Sequence, residues 1–100
     1  MPERKLIWSP QAFEDMEKIL AYFEERNGSS EYGNKLLQKI EKRLKHYLLW
    51  PQWGQRDGKS RRRFFVCENY SVYYRFTKTV FEVIKVWDGR RDPKMLKLTR

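Results

Sequence analysis

A short segment beyond the middle of the chain concentrates positively charged side chains. Five cations fall within eight residues, and they are Arg56, Lys59, Arg61, Arg62 and Arg63. Trp53 lies just before them, and a positive surface beside an aromatic ring is the combination that suits single-stranded nucleic acid. Charge at a strand edge also resists aggregation, which is the simpler explanation. Composition and spacing leave both interpretations open.

Residue types suited to proton transfer, thiol chemistry or metal binding are scarce. The chain has one histidine, His46, and one cysteine, Cys67. His46 has no second ligand nearby at metal spacing, and Cys67 lies in an apolar run where a packed thiol is expected. The sequence also lacks a glycine-rich phosphate loop. It therefore predicts no metal and no cofactor, so that any activity would depend on positioned cations.

Length and composition predict one folded domain, residues 1–100. Hydrophobic residues make up 40% of the chain and aromatic residues 16%, which supplies a small core despite 35% charged residues. The formal charge of +9 suits a phosphate backbone or an acidic protein partner. The first residues lack the apolar run of a signal peptide and no stretch is long enough to span a bilayer, so we expect a cytoplasmic protein with no membrane partner.

The first quarter of the chain predicts a strand and then a helix. Lys5–Trp8 is a short strand candidate, and Ser9 followed by Pro10 supplies an N-cap and a first-turn proline. Apolar residues then recur at three- and four-residue spacing on one stripe, and they are Phe13, Met16, Ile19, Leu20 and Phe23. Asn27-Gly28 ends this helix.

A second helix completes a hairpin. It is predicted to begin near Ser29 or Ser30 and to run to about Trp50, with Pro51 just past its end. One face is apolar and consists of Leu36, Leu37, Ile40, Leu44, Tyr47 and Leu48. The outer face is basic and carries Lys35, Lys39, Lys42, Arg43 and Lys45. Such a face either is simply solvated or contacts phosphates.

The second half of the chain predicts an antiparallel meander. After an irregular connection at residues 51–60, the runs Arg63–Cys67, Tyr70–Phe76 and Val80–Trp87 are rich in β-branched and aromatic residues. The connections between them are short enough to be hairpin turns. The expected fold is therefore α+β, with an N-terminal strand and a two-helix hairpin packed on a small antiparallel sheet in the order β-α-α-β-β-β.

Alternation along the middle strand assigns its side chains to two faces. The set expected to meet the helices is Tyr70, Val72, Tyr74 and Phe76, whereas Ser71, Tyr73 and Arg75 are expected on the open face. There, Arg75 beside Tyr73 could hold a phosphate or a partner's carboxylate. The simpler role for Arg75 is a cross-strand ion pair with Glu82.

The order of elements resembles the RelE/ParE superfamily, the toxins of bacterial type II toxin–antitoxin modules of the plasmid-stabilisation type. The resemblance spans nearly the whole chain and is carried by the Ser9-Pro10 helix start, the 69–76 strand and the closing 83–96 segment with its arginine-rich turn and Asp92-Pro93. It implies a toxin that arrests growth and that an acidic antitoxin neutralises by covering its basic face, with a toxin–antitoxin hetero-oligomer as a possible assembly.

The superfamily has branches with different targets, so the residues must choose between them. RelE-like members cut messenger RNA on the ribosome, and this resemblance makes Arg62, Arg90 and Arg91 the candidate catalytic residues. ParE-like members bind and poison DNA gyrase. Ser71 stands where RelE-like nucleases place an arginine, and the tail 94–100 has neither Tyr nor His. These departures favour the ParE-like protein-binding inhibitor, and RelE-like cleavage is the alternative.

Overall fold

The computed structural model describes residues 4–90, and its elements follow the predicted order. β1 spans Lys5–Trp8, α1 spans Pro10–Asn27 and α2 spans Glu31–Leu49. They are followed by β2 (Gln55–Arg56), β3 (Arg63–Cys67), β4 (Tyr70–Phe76) and β5 (Val80–Asp88). The predicted α+β class, with its helical hairpin and three-stranded meander, is confirmed.

The sheet is larger than the meander because a short strand joins it at each edge. Its order is β1-β5-β4-β3-β2, and β1 lies parallel to β5 with Lys5 opposite Val80 and Trp8 opposite Val83. Within the connection predicted to be irregular, Pro51–Trp53 forms a 3-10 turn and β2 pairs antiparallel with the start of β3. A two-residue strand is too short to show alternation, which is why β2 was not predicted.

The helix boundaries follow the predicted signals. The Ser9 hydroxyl accepts a hydrogen bond of 3.0 Å from the Ala12 amide, and Pro10 occupies the first turn. Gly28 ends α1 with a φ of 70°, and its N–H donates to the Glu24 carbonyl. Glycine adopts this left-handed conformation without steric cost, so the chain can turn directly into α2.

The main core lies between the helical hairpin and one face of the sheet. Its helical side includes Ala12, Met16, Leu36, Ile40 and Leu44, and its sheet side includes Phe65, Val72, Tyr74, Phe81, Val83 and Val86. The prediction was wrong for one residue of the apolar stripe, because Phe13 is 57% exposed and its neighbour Ala12 is fully buried. The stripe centre passes through Ala12 and Met16, and Phe13 lies one residue off that line.

A β-bulge in β5 produces a second, smaller cluster on the opposite face of the sheet. Tyr73 of β4 pairs with Lys85 whereas Tyr74 pairs with Val83, so Ile84 is an extra residue in β5. Ile84 and Trp87 then pack with Tyr73 and Phe64. Tyr73, which we expected to be available beside Arg75, is only 8% exposed. The open face of the sheet therefore carries a buried aromatic cluster, and Tyr73 belongs to it.

The N-terminal turns of α1 replace β1 as the neighbour of β5 beyond Val83. The Ser9 hydroxyl donates to the Ile84 carbonyl, and the Asp15 carboxylate accepts from the Val86 amide at 3.1 Å. Asp15 also forms an ion pair of 3.1 Å with Lys85, and both side chains are more than four-fifths buried. The helix thus satisfies backbone groups that a longer β1 would have bonded.

Tyr74 connects the sheet to the turn that follows α2. Its side chain is fully buried and stacks on Phe81, and its hydroxyl donates a hydrogen bond of 2.5 Å to the Pro51 carbonyl. A Cβ on Gly54 would lie only 2.0 Å from that hydroxyl oxygen. Burial raises the pKa of Tyr74 to about 12. Glycine at position 54 is therefore a condition for this contact.

Replacing Gly54 by alanine is expected to lower the free energy of unfolding by about 1–3 kcal/mol, because the added methyl group meets a buried, hydrogen-bonded ring. Urea unfolding would measure the change. The control is Gln52→Ala, an exposed position in the same turn, which we expect to stay within about 0.5 kcal/mol of the parent. Equal effects of the two substitutions would contradict the close contact between Gly54 and Tyr74.

The raised pKa of Tyr74 predicts an alkaline loss of stability. Above about pH 10 the unfolded chain gives up this proton while the folded chain retains it, so the free energy of unfolding falls as pH rises. Between about pH 9 and pH 11 the contribution of Tyr74 is about 1.3 kcal/mol. Denaturant unfolding at both pH values should show that the free energy of unfolding falls less in Tyr74→Phe than in the parent, by that amount. Parallel pH curves for the two proteins would exclude a raised pKa at Tyr74.

Candidate functional site

The five cations noted in the sequence, Arg56, Lys59, Arg61, Arg62 and Arg63, are here called the cation cluster. They lie on the loop between β2 and β3, with Arg56 at the end of β2 and Arg63 at the start of β3. The loop closes on itself, since the Asp57 amide donates to the Arg62 carbonyl and the Ser60 amide donates to the Asp57 carbonyl, each at 3.1 Å. The Ser60 hydroxyl also accepts from the Arg62 amide. This network fixes the backbone from which the arginines project.

Two of the five cations are bound within the fold. The Arg62 side chain is 17% exposed, reaches the Ser60 hydroxyl and lies 3.5 Å from the Asp57 carboxylate. Arg63 donates a hydrogen bond of 2.9 Å to the Gly54 carbonyl, which holds the turn after α2 against the sheet. The other three, Arg56, Lys59 and Arg61, are exposed. The loop and the end of β2 therefore present three cations to solvent.

Arg75 lies close to this loop at the end of β4. Its Nε donates to the Glu82 carboxylate at 2.6 Å, which confirms the cross-strand pair considered from the sequence. The residues Arg61, Arg62, Arg75, Phe76 and Glu82 line one depression of about 830 Å³, here called the arginine hollow. Sequence candidates from two separate segments thus meet at one surface.

Arg90 lies at the opposite end of the sheet. The strand register places Arg63 opposite Tyr74 and Asp88 opposite Tyr70, and these two positions on β4 are four residues apart. At about 3.4 Å per residue they are separated by about 14 Å along the strand. Arg62 precedes Arg63 and Arg90 follows Asp88, so both arginines lie beyond these two positions in opposite directions. The Arg90 guanidinium donates two hydrogen bonds to the Asp88 carboxylate, and Arg90 lines a different depression, of about 350 Å³, beside Tyr70 and Lys85. Arg91 lies outside the described residues.

The tyrosines of β4 are protonated at neutral pH. Burial raises the pKa values of Tyr70, Tyr73 and Tyr74, so each phenol stays protonated at neutral pH. His46 is on α2, where its ring lies 5.2 Å from that of Trp53. Within residues 4–90, no group of three His, Cys, Asp or Glu side chains is placed to hold a metal ion.

Sequence inspection missed an aromatic surface at the end of α2. Trp50 and Trp53 stack with ring centroids 5.5 Å apart, and His46 packs beside Trp53. We call these three residues the aromatic platform. The signal that could have revealed it is the run Trp50-Pro51-Gln52-Trp53, because a proline-initiated 3-10 turn brings residues three apart onto the same side.

Comparison with known proteins identifies the family to which this framework belongs. The model of the ParE toxin of the type II toxin–antitoxin system, parDE, matches residues 6–93. The chain belongs to the ParE toxin family. It is therefore the toxin component of a type II system and has an antitoxin as its partner.

Solved structures agree with this fold. One chain, from the structure described as "Chromosomal ParDE TA system from P. aeruginosa", has a TM-score of 0.69 and 19% sequence identity. The match covers 84% of the toxin described here and 94% of that chain. A search of the curated proteins finds no significant relative. At this identity, the likeness to the solved structure is evidence for the fold alone.

In the described part of the chain, no helix is both long and apolar enough to cross a bilayer.

Adjacent arginines of the loop are expected to behave differently when truncated. Arg62→Ala should lower the free energy of unfolding by about 1 kcal/mol, because it removes partly buried contacts with Ser60 and Asp57. The exposed neighbour provides the control, and Arg61→Ala should stay within about 0.5 kcal/mol. Urea unfolding measures both variants. A larger fall in the free energy of unfolding for Arg61→Ala than for Arg62→Ala would contradict the structural role assigned to Arg62.

Proposed function

We propose that this toxin arrests bacterial growth in the cytoplasm by binding DNA gyrase, without cutting nucleic acid itself. The observation that carries the proposal is the ParE family match across residues 6–93. The alternative from sequence, ribosome-dependent cleavage of messenger RNA in the RelE manner, has less support from the positions of the candidate catalytic residues.

Cleavage of RNA by its own 2′-hydroxyl needs cations at one phosphate and a group that accepts the hydroxyl proton. Arg62 and Arg90 line separate depressions at the two ends of β4. Arg62 is also held by its own loop and Arg90 by Asp88. These contacts favour a structural role for both arginines over transition-state stabilisation.

The surface that we assign to partner binding is the exposed part of the cation cluster. It consists of Arg56, Lys59 and Arg61, with Arg75 at its border beside Glu82. Solvent-exposed cations on a hydrogen-bonded loop can meet an acidic protein surface without large rearrangement. The toxin has a formal charge of +9, which also suits it to an acidic antitoxin. We take residues 1–100 as a single domain that forms a hetero-oligomer with this antitoxin.

A supercoiling assay with purified gyrase and purified toxin tests the proposal. We expect the toxin to inhibit supercoiling or to trap cleaved DNA complexes, and Arg61→Glu to weaken this effect about tenfold or more through charge repulsion. The matched control is Lys78→Glu, because Lys78 is exposed in the turn between β4 and β5. Its inhibition should remain close to that of the parent.

The alternative is tested in the same preparation. A translating extract that receives the toxin should keep its messenger RNA intact. Unchanged supercoiling at saturating toxin, together with messenger truncated in the extract, would reject gyrase as the target and support ribosome-dependent cleavage.

A further inference from the structure

The aromatic platform at the end of α2 exposes large flat rings to solvent. Trp53 is 59% exposed and Trp50 is 39% exposed, and their rings stack with an interplanar angle of 15°. The backbone beneath them is fixed, since the Trp53 amide donates to the Trp50 carbonyl and Pro51 is anchored by Tyr74. Exposed aromatic surface on a fixed turn is typical of a binding site.

A cationic groove leads along the sheet side of α2 to this platform. It has a volume of about 750 Å³ and is lined by Lys39, Lys42, Arg43, His46, Tyr47 and Glu68. His46 belongs both to the groove and to the platform, so the two surfaces are continuous. Lys45 adds a further exposed cation next to His46.

The charges of this groove are only partly neutralised within the described residues. Glu68 is paired with Lys39 at 2.5 Å, and Arg43 donates to the Val66 carbonyl while lying over the rings of Tyr47 and Phe65. Lys42 forms no ion pair with another residue in the range 4–90 and is exposed one helical turn before His46. Positive charge therefore remains available next to the rings.

The geometry points to a binding site for single-stranded nucleic acid, with an unpaired base stacked on the Trp50–Trp53 pair and the phosphates along Lys42 and Lys45. Base stacking on an aromatic ring beside a cationic track is how sequence-tolerant single-strand binding works. Such a site is additional to gyrase binding through the cation cluster, and its existence does not depend on gyrase as the target.

The positive charge of the groove would suit an acidic peptide as well as a nucleic acid. The exposed tryptophan rings favour the nucleic acid. A polyanionic chain without bases needs the lysines but gains nothing specific from a parallel pair of indoles. Bases gain stacking from a flat face next to the track of their own phosphates. The platform offers that juxtaposition, because His46 joins the lysine-lined groove to Trp53.

Intrinsic fluorescence of the full chain can test this site without gyrase. The other two tryptophans are less accessible, since Trp87 is 8% exposed and Trp8 is partly buried, so quenching would report mainly on the platform. We expect an oligothymidylate of about 12 nucleotides to quench this fluorescence and to bind more weakly by about one decade in the Trp53→Ala variant. Trp53→Phe, which keeps a ring, should recover part of the affinity.

Matched controls separate stacking from charge. Phe13→Ala removes an exposed ring on α1 and should leave binding unchanged. Lys42→Ala should reduce the salt dependence of binding by about one unit of slope, whereas Lys78→Ala in the β4–β5 turn should not. Heparin, a polyanion without bases, should bind the parent and Trp53→Ala equally.

Two results would overturn the assignment. One is oligothymidylate binding that is the same in the parent and in Trp53→Ala, which would leave only diffuse charge attraction. The other is a polyglutamate peptide that binds more tightly than the oligonucleotide and loses its affinity in Trp53→Ala, which would assign the platform to an acidic protein partner. Both outcomes are independent of the supercoiling assay, so this site and the gyrase proposal can fail separately.

Discussion

The hydrogen bond from the Tyr74 hydroxyl to the Pro51 carbonyl is the contact on which the functional surfaces depend. It joins the centre of the sheet to the turn after α2, and it is possible because residue 54 has no side chain. In the chain, Trp50 and Trp53 of the aromatic platform flank this turn, and the cation cluster begins at Arg56, shortly after Gly54. Arg63 reinforces it by bonding the Gly54 carbonyl. A buried, fully paired polar contact of this kind fixes one arrangement where apolar packing alone would allow several.

The contacts of Arg62 and Arg63 support our proposal that the cation cluster binds a partner. Part of the positive charge is used to hold the turn and the loop in place, through Arg63 and Arg62. The remainder projects from a loop whose backbone is already hydrogen-bonded, so little ordering is required when a partner arrives. Burial raises the pKa values of Tyr70, Tyr73 and Tyr74, so these phenols stay protonated at neutral pH.

Local signals in the sequence predicted most of the fold because they are short-range. Ser9-Pro10 and Gly28 marked the ends of α1, and alternation marked the three long strands, whose bounds differ from the prediction by at most one residue. The bulge at Ile84 and the burial of Tyr73 depend on pairing between strands, which no single segment encodes. For the site, the sequence identified the cations of the β2–β3 loop and the Arg75–Glu82 pair. It could not show that Arg62 and Arg90 lie at opposite ends of β4, or that a 3-10 turn stacks Trp50 on Trp53.

We propose that this toxin stops growth by occupying a protein target and leaves RNA intact. The most direct measurement is to induce the toxin in bacteria that lack its antitoxin and to follow, in the same culture, the supercoiling of a reporter plasmid and the integrity of a translated messenger. We expect the plasmid to lose negative supercoiling or to accumulate breaks while the messenger stays full-length. A fragmented messenger in cells whose plasmid keeps its normal supercoiling would contradict it.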